Sequence, residues 1–413
     1  VLAACGAVYP EVSTPIRSLP SRIAQTPPPP ADLLFIRFAG AFLIAATTHV
    51  AVAQNAPTTR PAAPAAPAPG MRGDGPAPTP APFRIERADA KLDALVAADA
   101  KLEELARGFG LNEGPVWVPE GDSGYLLVGG LLDNVLYKIA ADNTVSVFME
   151  SAGYSGNDTN NTGTQTRSGR SHVLLIGPSC ASLDSQGRLI WCADNDRTVM
   201  RLEKDGTRTV LSAGAPDGKR FSGPNDIYIA RDDAVYLTDN DFGLRGAGRS
   251  PDKQMPNGIW RIKDGRSTLV LGVDALGGIP NGIALSQDER WLYLTALQKI
   301  MRYEVRPDGT LGAGTLFTEG PGIGDGMKVD VDGNLYSTSG AGPGIVRITA
   351  PTGTLLGYLH LPIEGGEPKK QICATNVAFG DSDAKGLYIT ACDAVYRIRV
   401  KVAGVMQGPR PSP

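Results

Sequence analysis

The sequence predicts an all-β fold, a six-bladed β-propeller around a central channel. Two observations lead to this prediction. A strand pattern of the type Leu-Tyr-(Ile/Leu)-Thr recurs six times, and each copy is followed by a second β-type run. The repeats also lack the 3.6-residue periodicity that a helical solenoid would show. A repeat of roughly 40 to 65 residues with about four short antiparallel strands is typical of a propeller blade, and six blades close a ring.

The two runs of each repeat can be quoted in chain order. The first runs are YLLVGG from Tyr125, LIWCAD from Leu189, VYLTDN from Val235, LYLTAL from Leu292, LYSTSG from Leu335 and LYITAC from Leu387. The second runs are VLYKI from Val135, VMRLE from Val199, GIWRIK from Gly258, KIMRYEV from Lys299, GIVRIT from Gly344 and AVYRIRV from Ala394. A preceding alternating apolar segment completes the innermost part of each blade.

The sixth repeat lacks a final strand, because the chain ends soon after AVYRIRV. We expect residues 101–109 (KLEELARGF) to supply that outer strand and so to join the two chain ends. The preceding residues 88–97 favour a helix. The alternative is that residues 101–109 are the tail of this helix.

The N-terminal part of the chain divides into two segments outside the propeller. Residues 1–53 are predicted to be a leader, in which residues 33–53 form an apolar stretch with an Ala-Val-Ala ending that resembles a signal peptide. A membrane anchor is the alternative, but the apolar part is short and polar residues interrupt it. Residues 54–83 are rich in Pro, Ala and Gly and are predicted to be a disordered linker. The propeller is then expected over residues 84–402, with a C-terminal tail over residues 403–413.

Composition narrows the partners and the compartment. The net charge is −3 and the pI is near 5.8, so there is no basic excess to bind nucleic acid. The leader predicts export to the periplasm or medium, with no stable membrane span in the mature chain. Cys180 with Cys192, and Cys373 with Cys392, are placed to face each other across hairpins, either as disulfides or as free buried thiols.

Polar residues recur at the innermost strand of every repeat. Aligning the repeats places six oxygen-donor side chains at one mouth of the channel: Glu113, Ser179, Asn225, Asn281, Asp325 and Asn376. Carboxylate and amide oxygens that converge on one axis suit a hard cation, most simply Ca²⁺, with Mg²⁺ or Mn²⁺ as alternatives. Zn²⁺ is a further alternative, although these positions hold none of the His or Cys ligands that it favours.

Five longer motifs surround these positions: EGPVW at Glu113, GPNDIYI at Gly223, PNGIALSQDERWLYLT at Pro280, GDGMKVDVDGNLY at Gly324 and NVAFG at Asn376. Together they resemble the senescence marker protein, gluconolactonase and luciferin-regenerating-enzyme-like family of six-bladed propellers. This resemblance implies that Glu113, Asn281 and Asp325 are metal ligands and that Asn225 is a fourth ligand or a substrate contact.

The chain departs from this family in the second blade and beside Asn225. Ser179-Cys180 stands where gluconolactonase-like members usually have Asn-Gly, and Cys192-Ala193-Asp194 stands where they have Cys-Glu-His. Gly223 stands where the animal relatives have Arg. These differences concern sugar recognition rather than the metal ligands.

The function predicted from these residues is metal-dependent hydrolysis of a small lactone or related ester. A cation with open coordination positions polarises the carbonyl and holds the attacking water, and Asp325 is the expected general base. The alternative is that Asp325 serves only as a ligand. Ser179, Asn376 and His172 are predicted substrate contacts, with His172 following a polar insertion at residues 151–170 that is placed to cover the mouth.

Three other functions fit parts of the pattern. A diisopropylfluorophosphatase-like phosphotriesterase would use the same fold and a similar calcium site. A non-enzymatic propeller would use the metal only for stability. A metal-free strictosidine-synthase-like propeller would not need the ring of acids and amides. The sequence contains no G-x-S-x-G nucleophile elbow, which disfavours Ser-His-Asp catalysis.

Overall fold

The computed structural model describes residues 79–167, 170–244, 250–272, 278–342, 344–364 and 373–409. The predicted leader and nearly all of the predicted linker lie outside these residues. Within the described part of the chain, no helix is long and apolar enough to cross a membrane.

The described residues form six antiparallel sheets of four or five strands, which are the six predicted blades. The strands of blades 1 to 3, from the channel outward, are as follows. Blade 1 has Asn112–Glu120, Ser123–Gly130, Val135–Ile139 and Val145–Glu150. Blade 2 has Pro178–Leu183, Leu189–Ala193, Thr198–Leu202 and Arg208–Ser212. Blade 3 has Pro224–Ile229, Val235–Asp239, Gly258–Lys263 and Arg266–Gly272.

The other three blades follow the same order. Blade 4 has Pro280–Leu285, Trp291–Ala296, Lys299–Glu304 and Thr315–Glu319. Blade 5 has Met327–Val329, Leu335–Thr338, Ile345–Thr349 and Leu355–His360. Blade 6 has Asn376–Gly380, Gly386–Ala391, Ala394–Arg399 and Leu102–Arg107.

The outer strand of blade 6 confirms the predicted closure of the ring. Leu102–Arg107 pairs antiparallel with Ala394–Arg399, so the last blade is completed from the N-terminal side. The expected helix before this strand is a short 3₁₀ helix, Ala90–Ala94, which Asp89 caps through its side chain. An unpredicted strand, Arg84–Arg87, adds a fifth strand to blade 5 by pairing with Leu355–His360.

Repeated turns set the register between the innermost and second strands. In blade 2 the Asp184 carboxylate accepts the backbone N–H groups of Gln186 and Arg188, and Gly187 has a φ of +74°. Asp330 accepts the N–H of Asn334 at 2.8 Å in blade 5, where Gly333 has a φ of +82°. Such a side-chain cap with a left-handed glycine is typical turn chemistry.

The C-terminal segment contacts the ends of innermost strands on the side of the channel opposite to the predicted mouth. Val405 donates its N–H to the Val329 carbonyl at 2.9 Å, and the Gln407 amide donates to the Ile229 carbonyl at 3.2 Å. Gly404 packs directly on the Phe379 ring. Val329, Ile229 and Phe379 lie at or next to the last residues of three innermost strands. Residues 403–409 of the segment predicted as a separate C-terminal tail therefore pack against the propeller.

The structure also decides the state of the cysteines. Cys180 and Cys192 form a disulfide between directly opposed residues of the innermost hairpin of blade 2, as one of the two alternatives predicted. Cys373 and Cys392 also form a disulfide. The expected hairpin placement is wrong for this second pair, because Cys373–Ala374 pairs with Gly340–Ala341 instead.

Two small sheets lie outside the blades. One is Cys373–Ala374 with Gly340–Ala341, which links blades 5 and 6. The other pairs Thr164–Arg167 with Arg170–Leu174, between blades 1 and 2, so it begins in the polar insertion and ends just after it.

Candidate active site at the channel mouth

The six predicted donors lie at one end of the channel. Five of them occupy the first or second residue of an innermost strand, and Asp325 lies two residues before Met327–Val329. Because every innermost strand runs in the same direction through a propeller, these strand starts face one opening.

Direct contacts join the strand starts of blades 6, 1, 2 and 3. The Asn376 side-chain nitrogen donates to Glu113 Oε1 at 2.9 Å. Gly114 packs on blade 2, where an added Cβ would lie 2.8 Å from the Ser179 carbonyl oxygen. The Ser179 hydroxyl donates to the Pro224 carbonyl at 2.7 Å.

Further contacts complete the ring through blades 3 to 6. The Thr238 hydroxyl of blade 3 donates to the Asn281 carbonyl at 2.7 Å. Gly282 abuts blade 5, since an added Cβ would lie 2.3 Å from the Asp325 carbonyl oxygen. Gly326 abuts the Asn376 side chain, where an added Cβ would overlap the amide. The structure therefore brings the strand starts that carry all six predicted donors into one closed ring.

The six donors do not share a single strand position, contrary to the alignment. Asn225, Asn281 and Asp325 each lie two residues before a residue that opposes the second strand, namely Ile227, Ile283 and Met327. Asn376 lies one residue further along its strand, because it directly opposes Thr390 of the second strand. β-Bulges at the starts of the innermost strands of blades 1, 3 and 4 also change the register with the second strand, so equal spacing in sequence does not give equal positions in the sheet.

Asp226 is the structural counterpart of Asn376 and was not predicted. Asp226 opposes Thr238 and is 4% exposed, and Asn376 opposes Thr390 and is 1% exposed. In both cases the backbone N–H donates to the threonine hydroxyl at 3.0 Å. The motif GPNDIYI contains Asp226, but this motif alone does not distinguish an aspartate in a turn from a buried aspartate that lines the channel.

Glu113 is held in a desolvated environment. It is 9% exposed, and burial raises the pKa of its carboxyl to about 7. Hydrogen bonds from Thr375, Asn376 and the backbone of Gly114 lower the pKa, whereas the charge of Asp226 raises it. A buried carboxylate of this kind gains from a nearby cation.

Lys328 supplies a positive charge inside the channel. Its ammonium group lies 3.1 Å from the Met327 carbonyl and 3.4 Å from Asn376 Oδ1. Burial raises the pKa of Asp226, and Lys328 together with the backbone N–H of Ile283 opposes that rise. Lys328 stands in the quoted GDGMKVDVDGNLY motif, although sequence reasoning gave it no role.

Asp325 lies at the start of blade 5 beside a tight backbone approach. Its N–H donates to the Thr338 carbonyl at 3.1 Å. Gly340 lies next to its carboxylate, since an added Cβ would be 3.1 Å from Asp325 Oδ2, and Gly340 has a φ of +65°. Asp325, Asn225 and Asn281 are half-buried, so these side chains keep access to the mouth.

Of the three predicted substrate contacts, the structure describes the side chains of Ser179 and Asn376 but not that of His172. Ser179 and Asn376 are 2% and 1% exposed, and their hydrogen bonds run to neighbouring blades. His172 lies in the strand Arg170–Leu174, and its side chain lies outside what the structure describes. Substrate contact by these three residues stays a prediction.

A second pair of acids lies between blades 2 and 3 at the same end of the channel. Burial, and then the charge of Asp239, raises the pKa of Asp194 to about 8. Burial raises the pKa of Asp239 to about 7, and the N–H groups of Ser222 and Gly223 oppose the rise. An added Cβ on Gly223 would lie 2.6 Å from Asp194 Oδ1, so glycine leaves the room that Asp194 occupies.

The polar insertion runs across this end of blades 2 and 3. Ser155 donates its N–H to the Asp196 carboxylate at 3.0 Å, just after the second strand of blade 2. Thr162 forms a β-bridge with Leu244, which follows the second strand of blade 3. The predicted position of the insertion beside the mouth is therefore confirmed, whereas its function as a lid stays a prediction.

The chemistry of the donor set fits a hard divalent cation. The predicted ligands Glu113, Asn225, Asn281 and Asp325 offer two carboxylates and two amide oxygens, which suit Ca²⁺, Mg²⁺ or Mn²⁺. Among the described residues, no three His, Cys, Asp or Glu side chains cluster as a metal site. In a site built from the predicted ligands, the amide oxygens of Asn225 and Asn281 would supplement the carboxylates of Glu113 and Asp325.

The fold and the residues at the channel mouth place the protein in the class of six-bladed β-propellers that have carboxylate and amide side chains around the channel axis. The chain belongs to the SMP-30/Gluconolactonase/LRE-like family, whose model matches residues 111–393. The matched region includes strands of all six blades and leaves out Arg84–Arg87 of blade 5 and the strands Leu102–Arg107 and Ala394–Arg399 of blade 6.

Relatives of the chain carry lactonase names. A gluconolactonase from Zymomonas mobilis is 32% identical over 337 residues, which cover 78% of this chain and 87% of the relative. The pentonolactonase XacC from Haloferax volcanii is 34% identical over 151 residues, covering 35% of this chain and 47% of the relative. The structure of a gluconolactonase from Xanthomonas campestris matches with a TM-score of 0.61 at 26% identity, covering 80% of this chain and 99% of that one.

Proposed function

We propose that the chain is a divalent-metal-dependent lactone hydrolase, with calcium as the first candidate ion and a sugar lactone as the substrate class. The observation that carries this proposal is the closed ring of contacts that brings Glu113, Asn225, Asn281 and Asp325 to one mouth. The lactonase names of its relatives support a lactone as substrate.

The residues that would hold the ion are Glu113, Asn225, Asn281 and Asp325. When bound, a divalent ion acts as a Lewis acid that draws electron density from a lactone carbonyl. Glu113 accepts a hydrogen bond from Asn376 and is the most buried of the four. Asn225 and Asn281 present amide groups from equivalent positions of blades 3 and 4.

Asp325 is the proposed general base. Its carboxylate is half-buried at the mouth, which lets it accept a proton from a water that attacks the carbonyl carbon. The ester bond then breaks and the ring oxygen takes up a proton, which yields the hydroxy acid. In this proposal the insertion, whose Thr162 bridges to Leu244 of blade 3, excludes bulk water during the reaction.

The test is hydrolysis of a panel of aldonolactones by protein stripped of metal with EDTA and reloaded with Ca²⁺, Mg²⁺, Mn²⁺ or Zn²⁺. We expect activity to vanish after stripping and to return with at least one ion. Asp325→Asn should lower kcat about 100-fold or more, because it keeps the shape but removes the base. Asp205→Asn, on an exposed turn, is the matched control and should leave kcat unchanged.

Two outcomes would contradict the proposal. Full lactonase activity in the stripped protein would exclude metal dependence. A diisopropyl fluorophosphate rate above every lactone rate would instead assign the phosphotriesterase activity that the fold also accommodates.

Export is a second proposal and rests on the apolar stretch at residues 33–53. The two disulfides support it, because disulfides persist in oxidising compartments outside the cytosol. Mass spectrometry of the mature N-terminus in a cell fraction would test it. An uncleaved chain in the cytosolic fraction would refute it.

A further inference from the structure

The Asn376 amide lies at the junction of two buried carboxylates. Its side-chain nitrogen donates to Glu113 Oε1 at 2.9 Å, and its side chain is also a hydrogen-bond partner of Asp226. Its Oδ1 accepts the N–H of Val377 at 2.9 Å. The residue is 1% exposed, so water does not replace these partners.

Lys328 faces the oxygen side of this amide. Its ammonium group lies 3.4 Å from Asn376 Oδ1 and has hydrogen-bond donors but no acceptor. Turning the amide over would place the NH₂ group against Lys328 and the N–H of Val377, and the oxygen against Glu113. All three contacts would then be repulsive, so the observed orientation is strongly favoured.

Gly326 makes room for this arrangement. An added Cβ at Gly326 would lie 2.0 Å from the carbon of the Asn376 amide group. The amide therefore packs against bare backbone of blade 5, from which Lys328 also extends two residues later. Blade 5 thus determines both the space and the charge that Asn376 meets.

We propose that Asn376 is a positioning residue for Glu113 and that Lys328 fixes the orientation of its amide. This inference rests on the function proposed above, because it assigns Glu113 to the divalent ion. In this scheme Asn376 acts on the ion through Glu113, in place of the predicted contact with substrate, and Lys328 acts through Asn376. They hold the Glu113 carboxylate at the mouth in one orientation before an ion arrives, as outer partners of a metal ligand do.

The first experiment measures the Kd of the metal-free full chain for Mn²⁺ by titration calorimetry. We expect Asn376→Leu, which has a similar size but no donor, to weaken Mn²⁺ binding about tenfold or more. Asn376→Ser is the second variant, in case leucine prevents folding, because it keeps a polar group but withdraws the donor from Glu113. Asn143→Asp, on an exposed turn, is the control and should keep the wild-type Kd.

The second experiment measures kcat at saturating Mn²⁺ for Lys328→Met, for Asn376→Ser and for the double variant. If Lys328 acts through Asn376, each single variant lowers kcat and the double variant is no worse than Asn376→Ser alone. Lys328→Arg should restore most of the rate, because it keeps a donor facing Asn376 Oδ1. Lys299→Met, an exposed lysine, is the control.

The outcomes separate this inference from the proposed function. If the wild type binds Mn²⁺ and hydrolyses lactones but both Asn376 variants keep its Kd, the positioning role is wrong and the function stands. Strictly additive losses in kcat would remove Lys328 from the scheme. A lower melting temperature with unchanged Kd and kcat would reduce both residues to a structural role. A wild type that binds no divalent ion would overturn the inference together with the function.

Discussion

At the scale of residues, buried charge is the main feature of the channel mouth. Glu113, Asp194, Asp226 and Asp239 all have a raised pKa because they are desolvated. A protein retains such groups only with compensation from hydrogen bonds, cations or function. For Asp226 that compensation is visible in Lys328, whereas Asp194 has mainly another acid as its neighbour.

Asp194 should make stability depend on pH. Its pKa is about 8 in the folded chain and near its ordinary value of 3.8 when unfolded. Between these values the folded state keeps a proton that the unfolded state has lost, so the free energy of unfolding falls as pH rises from about 4 to about 8. Asp194→Asn removes this loss. We therefore expect the substitution to raise the free energy of unfolding, relative to wild type, by about 2 kcal/mol or more at pH 9 compared with its effect at pH 5.

Urea unfolding of the metal-free protein at pH 5 and pH 9 measures this effect. Asp142→Asn is the control, because Asp142 is fully exposed and the N–H of Thr144 lowers its pKa, so it stays ionised across this range. An equal effect of Asp194→Asn at both pH values would contradict the assignment.

The sequence predicted which residues lie at the channel mouth better than it predicted their positions in the strands, and the roles of these residues stay predictions. Glu113, Asn225, Asn281 and Asp325 were predicted as ligands because oxygen donors recur at the starts of the innermost strands and because the family resemblance implies this role. The β-bulges that set their true register leave no sequence pattern. Lys328 was missed because its neighbours come from blades 3 and 6, far away in the chain.

At the scale of elements, the strand Leu102–Arg107 completes the ring. It pairs with Ala394–Arg399, and Leu105 is 7% exposed in a core cluster with Trp117 and Val395. This closure was predictable because the sixth repeat lacked a strand. The fifth strand of blade 5 was not, since its sequence RIER carries no repeat pattern.

Leu105→Asp should damage this closure. It places an unpaired carboxylate in the cluster, and we expect a loss of about 3 kcal/mol or more in the free energy of unfolding. Glu103→Ala, on the same strand, removes only an exposed ion pair with Arg397 and should cost less than about 1 kcal/mol. Urea denaturation of both variants measures the contrast, and similar losses would show that the strand contributes little through its apolar face.

At the scale of the whole molecule, the channel has one closed end and one mouth. The contacts of the C-terminal segment with Val329, Ile229 and Phe379 cover the end away from the predicted ligands. The sequence did not predict these contacts, because the C-terminal segment is short, rich in Gly and Pro, and lacks the strand pattern of the repeats. Its contacts come from separate blades and exist only after the ring has closed.

Removing this segment should weaken the whole ring. A chain that ends at Val402 loses the backbone hydrogen bonds of residues 403–405 and the Gln407 contact, and exposes the Phe379 ring. We expect its free energy of unfolding to fall by about 2–4 kcal/mol. A chain that ends at Pro409 keeps every one of these contacts and is the matched control.

A cysteine at position 182 would report on the closed end directly. Ser182 lies near the end of the innermost strand of blade 2, is 2% exposed, and hydrogen-bonds to Gln407. In Ser182→Cys, combined with Cys5→Ser so that residue 182 is the one cysteine besides the two disulfide pairs, we expect slow labelling by a charged thiol reagent in the chain ending at Pro409. Labelling should be at least tenfold faster in the chain ending at Val402, because that chain lacks Gln407 and its neighbours. Equal labelling rates and equal stability in the two chains would show that the segment does not close the channel.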